Sequence, residues 1–505
     1  MDSIPLQFYS PTPSETLDFG RIIQQSPSFV LEPSTPEEIS LLLKSISLSP
    51  SYNNITVAAR GAGHSIHGQA QAPDGIVIDI TSLPTFVKIS KCEEAGSESK
   101  YHNFFIDVSG GALWVDVLKE TLKHGLTPRS WTDYLFLTVG GTLSVGGISG
   151  QTFKYGPQIC NVLEMDVITG KGDFVTCSKE RNPELFYGVL GGLGQFGIII
   201  RARIILEIAP KMVKHVRLFY SDFNLFTRDQ ENLISMKEVD YVEGFIKLSH
   251  CEPLDHLQSK PETRNAGSAP VDYIIEVALY YNEEAVVQEV MEQVLSQLSV
   301  IPWTRAQIDD ISYFNFLNRV KQEEKKLRNR GLWEVPHPWL NVFIPKSHIK
   351  PFKNLLLKTI SSIPPNGPVL IYPVLRHKWE KKMSVVLPRE EEGEDVFYIV
   401  SLLRSAIPSS SLQTLLSQNQ EIIDAVTSKA PIHLQETINV EGEGGQRFDH
   451  DMGGKQYMPY LRDESEWRIH FGEEWKRFEA LKFKFDPFNI LAPGQMIFRR
   501  KNIEI

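Results

Sequence analysis

Glycine-rich segments are the feature that most constrains how this 505-residue chain can fold. The first follows the β-branched run Ile55–Val57 and reads Arg60-Gly-Ala-Gly-His-Ser65. The second occupies residues 138–156, and the third is Gly191-Gly-Leu-Gly-Gln-Phe-Gly197. Glycine is unfavourable inside helices and strands, but it permits tight turns and lets the backbone approach a ligand closely. Three such runs in one part of the chain favour a long, flat ligand such as a dinucleotide.

The first 126 residues alternate predicted strands and helices around the first glycine run. β-Branched runs predict the strands, and apolar residues at helical spacing predict the helices between them. The predicted strands lie at residues 55–59, 76–80 and 104–108. This alternation is typical of an α+β nucleotide-binding domain. At this point a purely structural turn at residues 60–65 remains the alternative.

Past residue 210 the glycines become sparse and apolar runs alternate with helical patterns at 283–298 and 311–330. This pattern predicts an antiparallel sheet with helices on one face. Its predicted strands are 273–281, 338–344, 369–372, 384–387 and 396–403. We therefore predict a two-domain α+β protein, with domains at 1–210 and 211–450. A C-terminal segment, 451–505, regains helical spacing over 467–483.

Composition excludes several classes of protein. With 52 Lys and Arg against 62 Asp and Glu, the net charge is −10, so we expect no nucleic-acid partner. No apolar run is long enough to span a membrane. Four cysteines without a Cys-x-x-Cys pair predict free thiols. The first residues lack the basic and apolar regions of a signal peptide, so we expect a cytoplasmic protein; a secreted form without its leader would look the same.

His64, at the tip of the first glycine run, can hydrogen-bond, ligate a metal or attack an electrophile. A Rossmann fingerprint needs a helix directly after its glycines, and the sequence that follows His64 is a poor helix start. His64 and His67 have no matched pair at the spacing of a zinc site, so we predict no metal. A hydrolase is equally unsupported, because no strand leads into a Gly-x-Ser-x-Gly elbow.

Two further side chains are candidates for function. Asp133 lies between Trp131 and Tyr134, and an apolar setting raises the pKa of a carboxyl and suits a general base. An aspartate that caps a turn is the alternative. Trp339, between prolines and Leu340, is a core residue by default and can equally line a flat pocket.

Several motifs together carry a resemblance to one family. They are Arg60–Gln69, Pro128–Tyr134, Leu137–Ser144, Tyr155–Gln158, Asn161–Gly170, Gly191–Gly197, Asp240–Gly244, Pro336–Asn341 and Pro493–Gln495. With these motifs the chain resembles the plant cytokinin dehydrogenases. The resemblance implies a PCMH-type (vanillyl-alcohol-oxidase-like) flavoprotein, with an FAD domain at 1–210 and an antiparallel-sheet substrate domain covered by helices. Residues 451–505 would return to the FAD domain.

The resemblance also implies a set of site residues. His64 would carry FAD covalently through the 8α-methyl carbon, and Asp133 would be the catalytic base and touch both cofactor and substrate. Trp339 and Met458 would line the substrate pocket, and Glu252 is a candidate acidic residue at its entrance. The residues expected around the cofactor are Gly61, Ala62, Gly63, Ser65, Gln69, Thr138, Ser144, Ile148, Ile198, Tyr457 and Gln495.

The chemistry implied by the resemblance is oxidative cleavage of a cytokinin such as isopentenyladenine or zeatin. Asp133 would take a proton from the N6–H, a hydride would pass from the side chain to flavin N5, and the imine would hydrolyse to adenine and an aldehyde. A quinone-type acceptor or dioxygen would reoxidise the flavin, and a monomer is expected. Two alternatives are another covalent-FAD oxidase of this fold, acting on an alcohol or sugar, and a non-catalytic cytokinin-binding protein. A bicovalent variant would need a flavin-linked cysteine, for which Cys160 is the candidate.

The chain departs from the family pattern in two segments. The family usually has Ser-Asn-Ala-Gly where this chain has Ser144-Val145-Gly146-Gly147, which removes an amide side chain near the flavin. Residues 431–454 form a long acidic insertion before Tyr457. The Val145-Gly146 change is expected to alter the surroundings of the flavin. The acidic insertion is expected to alter the rim of the pocket.

Overall fold

The computed structural model describes residues 6–49, 52–91, 104–248, 271–299, 306–361, 366–427 and 452–500. Its strands form three sheets, and the first two lie in the N-terminal half of the chain. Glu252 and residues 431–451 of the insertion lie outside the described residues. No helix in the described ranges has the length and apolar character needed to cross a bilayer.

The first sheet has four strands in the order β1-β2-β4-β3. Its strands are β1 (Phe8–Tyr9), β2 (Phe29–Leu31), β3 (Val57–Arg60) and β4 (Ile76–Asp79). Helix α1 (Pro13–Thr16) follows β1, and α2 (Pro36–Leu48) buries the face formed by Ile39, Leu42, Leu43 and Ile46. Strand β3 runs parallel to β4 and ends where the first glycine run begins, so the sheet holds one end of that loop.

The second sheet has six strands, with the long strand β10 (Gly197–Ile208) at its centre. The others are β5 (Val87–Lys91), β6 (Phe104–Ser109), β7 (Leu126–Pro128), β8 (Val162–Thr169) and β9 (Phe174–Ser178). The helices of this region are α3 (Trp114–Lys123), α4 (Val139–Leu143), α5 (Thr152–Tyr155) and α6 (Pro183–Val189). Helix α4 lies inside the second glycine run, where no helix was predicted. A Cβ on its Gly140 would lie 3.1 Å from the Gly110 carbonyl oxygen, so glycine permits the close packing there.

The third sheet is antiparallel and has eight strands in the order β14-β11-β13-β12-β16-β17-β15-β18. They are β11 (Met212–Tyr220), β12 (Tyr241–Leu248), β13 (Val271–Tyr281), β14 (Ala306–Ser312), β15 (Leu340–Pro345), β16 (Val369–Leu375), β17 (Val396–Leu402) and β18 (Lys455–Gln456). Its helices are α7 (Phe223–Ser235), α8 (Glu284–Ser296), α9 (Tyr313–Leu317), α10 (Arg319–Asn329), α11 (Ile349–Thr359) and α12 (Leu412–Val426). The predicted antiparallel sheet with helices is therefore confirmed.

The two faces of this sheet have different partners, because successive side chains of a strand point to opposite faces. On β16, Val369 and Ile371 belong to the core shared with α7, α8, α11 and α12. The alternate residues Leu370 and Tyr372 point to the other face. They belong to a second apolar cluster and line the cavity described below. The third sheet thus has α7, α8, α11 and α12 on one face and the cavity on the other.

One predicted strand of this domain is wrong. Residues 384–387 form no strand, although their composition suits one. The Ser384 N–H donates to the Leu190 carbonyl at 3.1 Å, and its hydroxyl donates to the Gly188 carbonyl at 2.9 Å. The backbone of this loop is therefore engaged by the end of α6 in the N-terminal domain, which local sequence does not reveal.

The C-terminal segment contacts both halves of the chain. After β18 come α13 (Glu464–Phe471) and α14 (Trp475–Phe485), which together span the helical spacing noted at 467–483. Gly472, with φ +55°, ends the first of them. Leu491 then forms a parallel bridge with Val57, and the Ala492 N–H donates to the Val57 carbonyl at 2.9 Å. The chain end therefore supports the same strand that leads into the first glycine run.

Candidate active site

One cavity of about 700 Å³ lies between the first two sheets and the third. Its volume is in the range of about 300–1,000 Å³ that is usual for small-molecule sites. Every predicted site residue that the structure describes lines it. These residues are Gly61, Ala62, Gly63, His64, Ser65, Gln69, Asp133, Thr138, Ser144, Ile148, Ile198, Trp339, Tyr457, Met458 and Gln495.

The Gly-His loop is held by a side chain that the sequence did not reveal. Asp18 is almost fully buried, and its carboxylate accepts hydrogen bonds from Ser65 Oγ at 3.1 Å and from Gly68 N at 2.6 Å. Within the loop, Gln69 Oε1 accepts from Ile66 N and His67 N at 3.1 and 2.8 Å. Gln69 therefore shapes the loop from inside, and Asp18 ties it to the N-terminal segment.

His64 lies among aromatic rings at the cavity wall. Its imidazole stacks on Phe19, with ring centroids 3.9 Å apart, and Tyr134 lies 5.0 Å away. Nε2 is buried and has no hydrogen-bond partner among the described residues. Burial lowers the pKa of His64 to about 4. The ring is therefore neutral near pH 7 and keeps a nitrogen lone pair that can bond to an electrophilic carbon.

The first two glycine runs meet edge to edge. A Cβ on Gly61 would lie 2.1 Å from Thr138 Oγ1, so no side chain fits between the two loops. The segment 144–147, which departs from the family pattern, contacts Tyr457. Tyr457 Oη accepts a hydrogen bond from Gly147 N at 3.0 Å. A Cβ on Gly146 would lie 2.9 Å from the same oxygen. Gly146 therefore gives Tyr457 room to approach the loop, and bare backbone forms this part of the wall.

Replacing Tyr457 with Phe is expected to lower the free energy of unfolding by about 1–3 kcal/mol, because the Gly147 N–H would be left without its partner. Urea unfolding at constant pH measures the loss. Tyr460→Phe is the matched control, since Tyr460 stacks on His67 at 4.6 Å and its hydroxyl bonds none of the described residues. Equal losses in the two variants would contradict this role for the Tyr457 hydroxyl.

Asp133 lies at the polar end of the cavity, with its side chain 29% exposed. Its Oδ1 accepts a hydrogen bond from Tyr241 Oη at 3.2 Å and lies 3.6 Å from Arg319 Nη2. The same guanidinium donates to Tyr241 Oη and lies 3.7 Å from Glu243 Oε2. Asp133 comes from the loop before α4, whereas its partners come from β12 and from the start of α10.

A second buried ion pair lies behind this group. Arg217 Nε donates to Glu276 Oε1 at 2.9 Å, and His215 Nε2 lies 3.5 Å from Glu276 Oε2. Burial acts to raise the pKa of Glu276, but His215, Arg319 and Arg217 outweigh it and hold the pKa below its ordinary value. Glu276 is therefore an anion, and Arg217 is its direct partner. Arg319 lies closest to the other two carboxyls, Asp133 and Glu243.

The two carboxyls that share Arg319 differ in their surroundings. Burial raises the pKa of Asp133, and the positive charge of Arg319 opposes that rise. Burial and then the neighbouring Asp133 charge raise the pKa of Glu243 well above its ordinary value. Like charges this close do not both ionise readily, so the pair retains one proton. The more enclosed Glu243, with 2% of its side chain exposed, is the better place for that proton, and Asp133 is the better base.

Sequence reasoning did not find these partners of Asp133. Glu243 lies in the Asp240–Gly244 motif, which was noted only for its resemblance. Arg319 begins a helix whose many Lys, Arg and Glu residues are typical of a solvated surface. Only the contact across the cavity distinguishes Arg319 from the other basic side chains of that helix.

Cys160 does not fit the bicovalent variant. Among the described residues it is absent from the cavity lining, and its Sγ contacts Met383 Sδ at 3.9 Å. Burial raises the pKa of the Cys160 thiol to about 11, which makes a thiolate scarce near pH 7. Cys177 is buried in the core and is also a free thiol. Cys92 and Cys251 lie outside the described residues.

The residues present fit a flavin cofactor. Two glycine loops leave bare backbone along the wall, as an extended polyanionic ligand needs. Nε2 of His64 is a buried polar atom that has no hydrogen-bond partner among the described residues, so a bound group can supply one. Much of the remaining lining is apolar or aromatic, including Phe245, Leu370 and Tyr372, and suits planar rings.

Solved structures with the same fold are flavoproteins. A VAO-type flavoprotein from Myceliophthora thermophila C1 superposes with a TM-score of 0.61 at 14% identity, covering 92% of this chain and 79% of that one. Glucooligosaccharide oxidase from Acremonium strictum, which carries a 6-S-cysteinyl, 8α-N1-histidyl FAD, superposes with a TM-score of 0.64 at 12% identity. The match covers 99% of this chain and 98% of that one. The chain therefore has the fold of the VAO-type flavoproteins.

Sequence comparison narrows the class to a family. Residues 27–178 match the family "FAD binding domain", and residues 210–498 match "Cytokinin dehydrogenase 1, FAD and cytokinin binding". Cytokinin dehydrogenase 3 of Oryza sativa subsp. japonica is 47% identical over 99% of this chain and 92% of its own length. Cytokinin dehydrogenase 1 of Arabidopsis thaliana is 45% identical over 96% of this chain and 80% of its own length. The chain belongs to the cytokinin dehydrogenase family.

Proposed function

We propose that this protein oxidatively cleaves the N6 side chain of an isoprenoid cytokinin, such as isopentenyladenine or zeatin, to adenine and an aldehyde. One observation carries the proposal: His64 and Asp133, which are far apart in the chain, line one cavity of a cytokinin dehydrogenase family member. A binding protein without catalysis would not need a carboxylate in the cavity wall with an arginine at 3.6 Å. The structural likeness to sugar oxidases, at 12–13% identity, supports the fold alone.

FAD, when bound, supplies a two-electron acceptor at N5. We assign its covalent attachment to the neutral imidazole of His64, and its further contacts to the glycine loops, Tyr457 and Gln495. Trp339, Met458 and the apolar face of the third sheet would hold the flat purine and its isoprenoid chain. The acceptor that reoxidises the flavin would be a quinone or dioxygen.

Asp133 is the proposed base of the reaction. Its carboxylate would take the proton from the exocyclic N6–H, and the electron density left on nitrogen would favour hydride loss from the adjacent side-chain carbon. Tyr241 donates to Asp133 Oδ1 at 3.2 Å and would keep the carboxylate oriented. Glu243, enclosed behind it, would retain its own proton and so leave Asp133 free to accept one. Water would then hydrolyse the imine to adenine and the aldehyde.

Anaerobic mixing of the purified protein with isopentenyladenine is the test of this function. We expect the flavin absorbance to bleach, adenine and an aldehyde to appear, and the flavin to stay with the polypeptide after acid precipitation. A panel of alcohols and oligosaccharides is the control and should leave the flavin oxidised. Bleaching by a control substrate alone would identify an oxidase of another specificity, and binding of isopentenyladenine without bleaching would identify a non-catalytic binding protein.

A further inference from the structure

The N-terminal segment Asp18–Gly20 lies between the two halves of the active site. The Phe19 and Gly20 N–H groups donate to the carbonyls of Gly63 and Ser65 at 2.9 and 3.0 Å. The Gly20 carbonyl in turn accepts from His337 N at 2.8 Å. This segment, here called the N-terminal strap, therefore joins the His64 loop to the chain that leads into β15.

The strap places one side chain, Phe19, between two imidazoles. Its ring lies 3.9 Å from His64 and 4.3 Å from His337, with interplanar angles of 27° and 9°. Trp339 contacts the same ring edge-on at 5.0 Å. Phe19 therefore contacts both the candidate flavin attachment point and a residue that is fixed in the opposite domain.

His337 is a rigid support for this stack. The ring is 2% exposed, with Nε2 2.9 Å from the Trp333 carbonyl and Nδ1 3.0 Å from Ser405 Oγ. A carbonyl can only accept, so Nε2 of His337 carries the hydrogen and Nδ1 accepts from the serine hydroxyl. Both ring nitrogens are thus used, and the ring plane is fixed.

His64 has less support from hydrogen bonds than His337, because its ring bonds its own backbone and, among the described residues, nothing at Nε2. A histidine that reacts or binds a metal is usually oriented by a hydrogen bond to its other ring nitrogen. Nε2 of His64 is buried and bonds none of the described residues. The Nε2 side of the ring is therefore oriented by packing, and the ring closest to His64 among its aromatic contacts is Phe19.

We propose that Phe19 is a positioning residue for flavin attachment: it sets the plane of the His64 imidazole by stacking between His64 and His337. This inference rests on the proposed function, since it needs His64 to be the attachment point. Attachment would join an imidazole nitrogen to the 8α-methyl carbon, with loss of one proton from that methyl group and of the imidazole N–H proton. The electron pair of the broken C–H bond would remain on the flavin, which would be left reduced by two electrons. A quinone or dioxygen takes those two electrons with two protons and restores the oxidised flavin. An apolar ring suits this role because it takes no lone pair from the reacting imidazole.

Phe19→Leu tests the proposal, because it keeps an apolar side chain and removes the stack. Purified proteins are incubated with excess FAD and precipitated with acid, and the flavin in precipitate and supernatant is measured over time. Covalent attachment should slow by roughly 10–100-fold in Phe19→Leu, since small misplacements of a reacting group have effects of that size. Phe19→Tyr, which keeps the ring, and Phe29→Leu, which changes an exposed phenylalanine, should match the wild type.

Wild-type attachment in Phe19→Leu would overturn the proposal. Total bound flavin and circular dichroism check folding. If Phe19→Leu does not fold, Phe19→Met replaces it, and equal attachment in the Met and Tyr variants would overturn the proposal as well. Release of flavin from the wild-type protein would instead refute the His64 linkage itself, and with it the basis of this inference. The two failures are therefore distinguishable.

Discussion

Replacing Asp133 with Asn is expected to reduce turnover of isopentenyladenine by about 10²–10⁴-fold, the usual contribution of a general base. The amide has nearly the shape of the carboxyl, and its oxygen can still accept the hydrogen bond from Tyr241 at 3.2 Å. It cannot take the N6 proton. The rate of flavin bleaching after anaerobic mixing measures the loss directly, because it excludes reoxidation.

The flavin should stay attached in Asp133→Asn, because His64 and both glycine loops are unchanged. Asp116→Asn is the matched control, since Asp116 is 50% exposed on α3 and forms only a surface pair with Lys119. Its bleaching rate should equal that of the wild type. Unchanged bleaching in Asp133→Asn would contradict the assignment of Asp133 as base, whereas loss of flavin would show that its main role is to hold the cofactor site together.

Replacing Arg319 with Met is expected to move the acidic limb of the pH–rate profile up by about 1–3 pH units, the usual effect of an adjacent opposite charge on a carboxyl. Arg319 lies 3.6 Å from Asp133 and opposes the rise in its pKa that burial causes. Without the guanidinium, the pKa of Asp133 rises, and the base is protonated at pH values where the wild type is active. Measuring kcat/KM from acidic to neutral pH follows the shift.

The shape of the profile separates a change in pKa from a general loss of structure. A damaged fold would lower activity at every pH, whereas the lost charge should leave activity largely recoverable at high pH. Arg319→Lys, which keeps the charge, should restore part of the wild-type profile. Lys325→Met changes an exposed cation on the same helix and should leave the profile unmoved. An unshifted acidic limb in Arg319→Met would contradict a role for Arg319 in setting the pKa of Asp133.

Prediction from sequence worked best where function depends on contiguous residues. The strand that leads into Gly61–His64 and the second glycine run are local patterns, and the structure brings both to one cavity. The short helix α4 inside a glycine-rich segment was missed, because its stability comes from packing against Gly110 and β10 and not from its own residues. The strand predicted at 384–387 failed for the same reason, since α6 takes up the hydrogen bonds of Ser384.

The partners of Asp133 lay beyond sequence reasoning because they are recognisable only by distance. Glu243 on β12 and Arg319 on α10 are ordinary charged residues in the sequence, 110 and 186 positions after Asp133. Asp18 and Phe19 belong to a short N-terminal segment without a motif. In the structure, Asp18 accepts a hydrogen bond from Gly68 N of the His64 loop, and Phe19 stacks on the His64 ring.

The sequence by itself predicted a long, flat ligand and two candidate reactive groups, His64 and Asp133, because the glycine spacing and the motifs that carry the family resemblance are local properties of the chain. Only the tertiary structure decided the protonation states of those groups. Burial keeps His64 neutral, and Arg319 is placed where its charge acts on both Asp133 and Glu243. Coulombic interaction and desolvation depend on separation in space and on exclusion of water, and folding alone sets both.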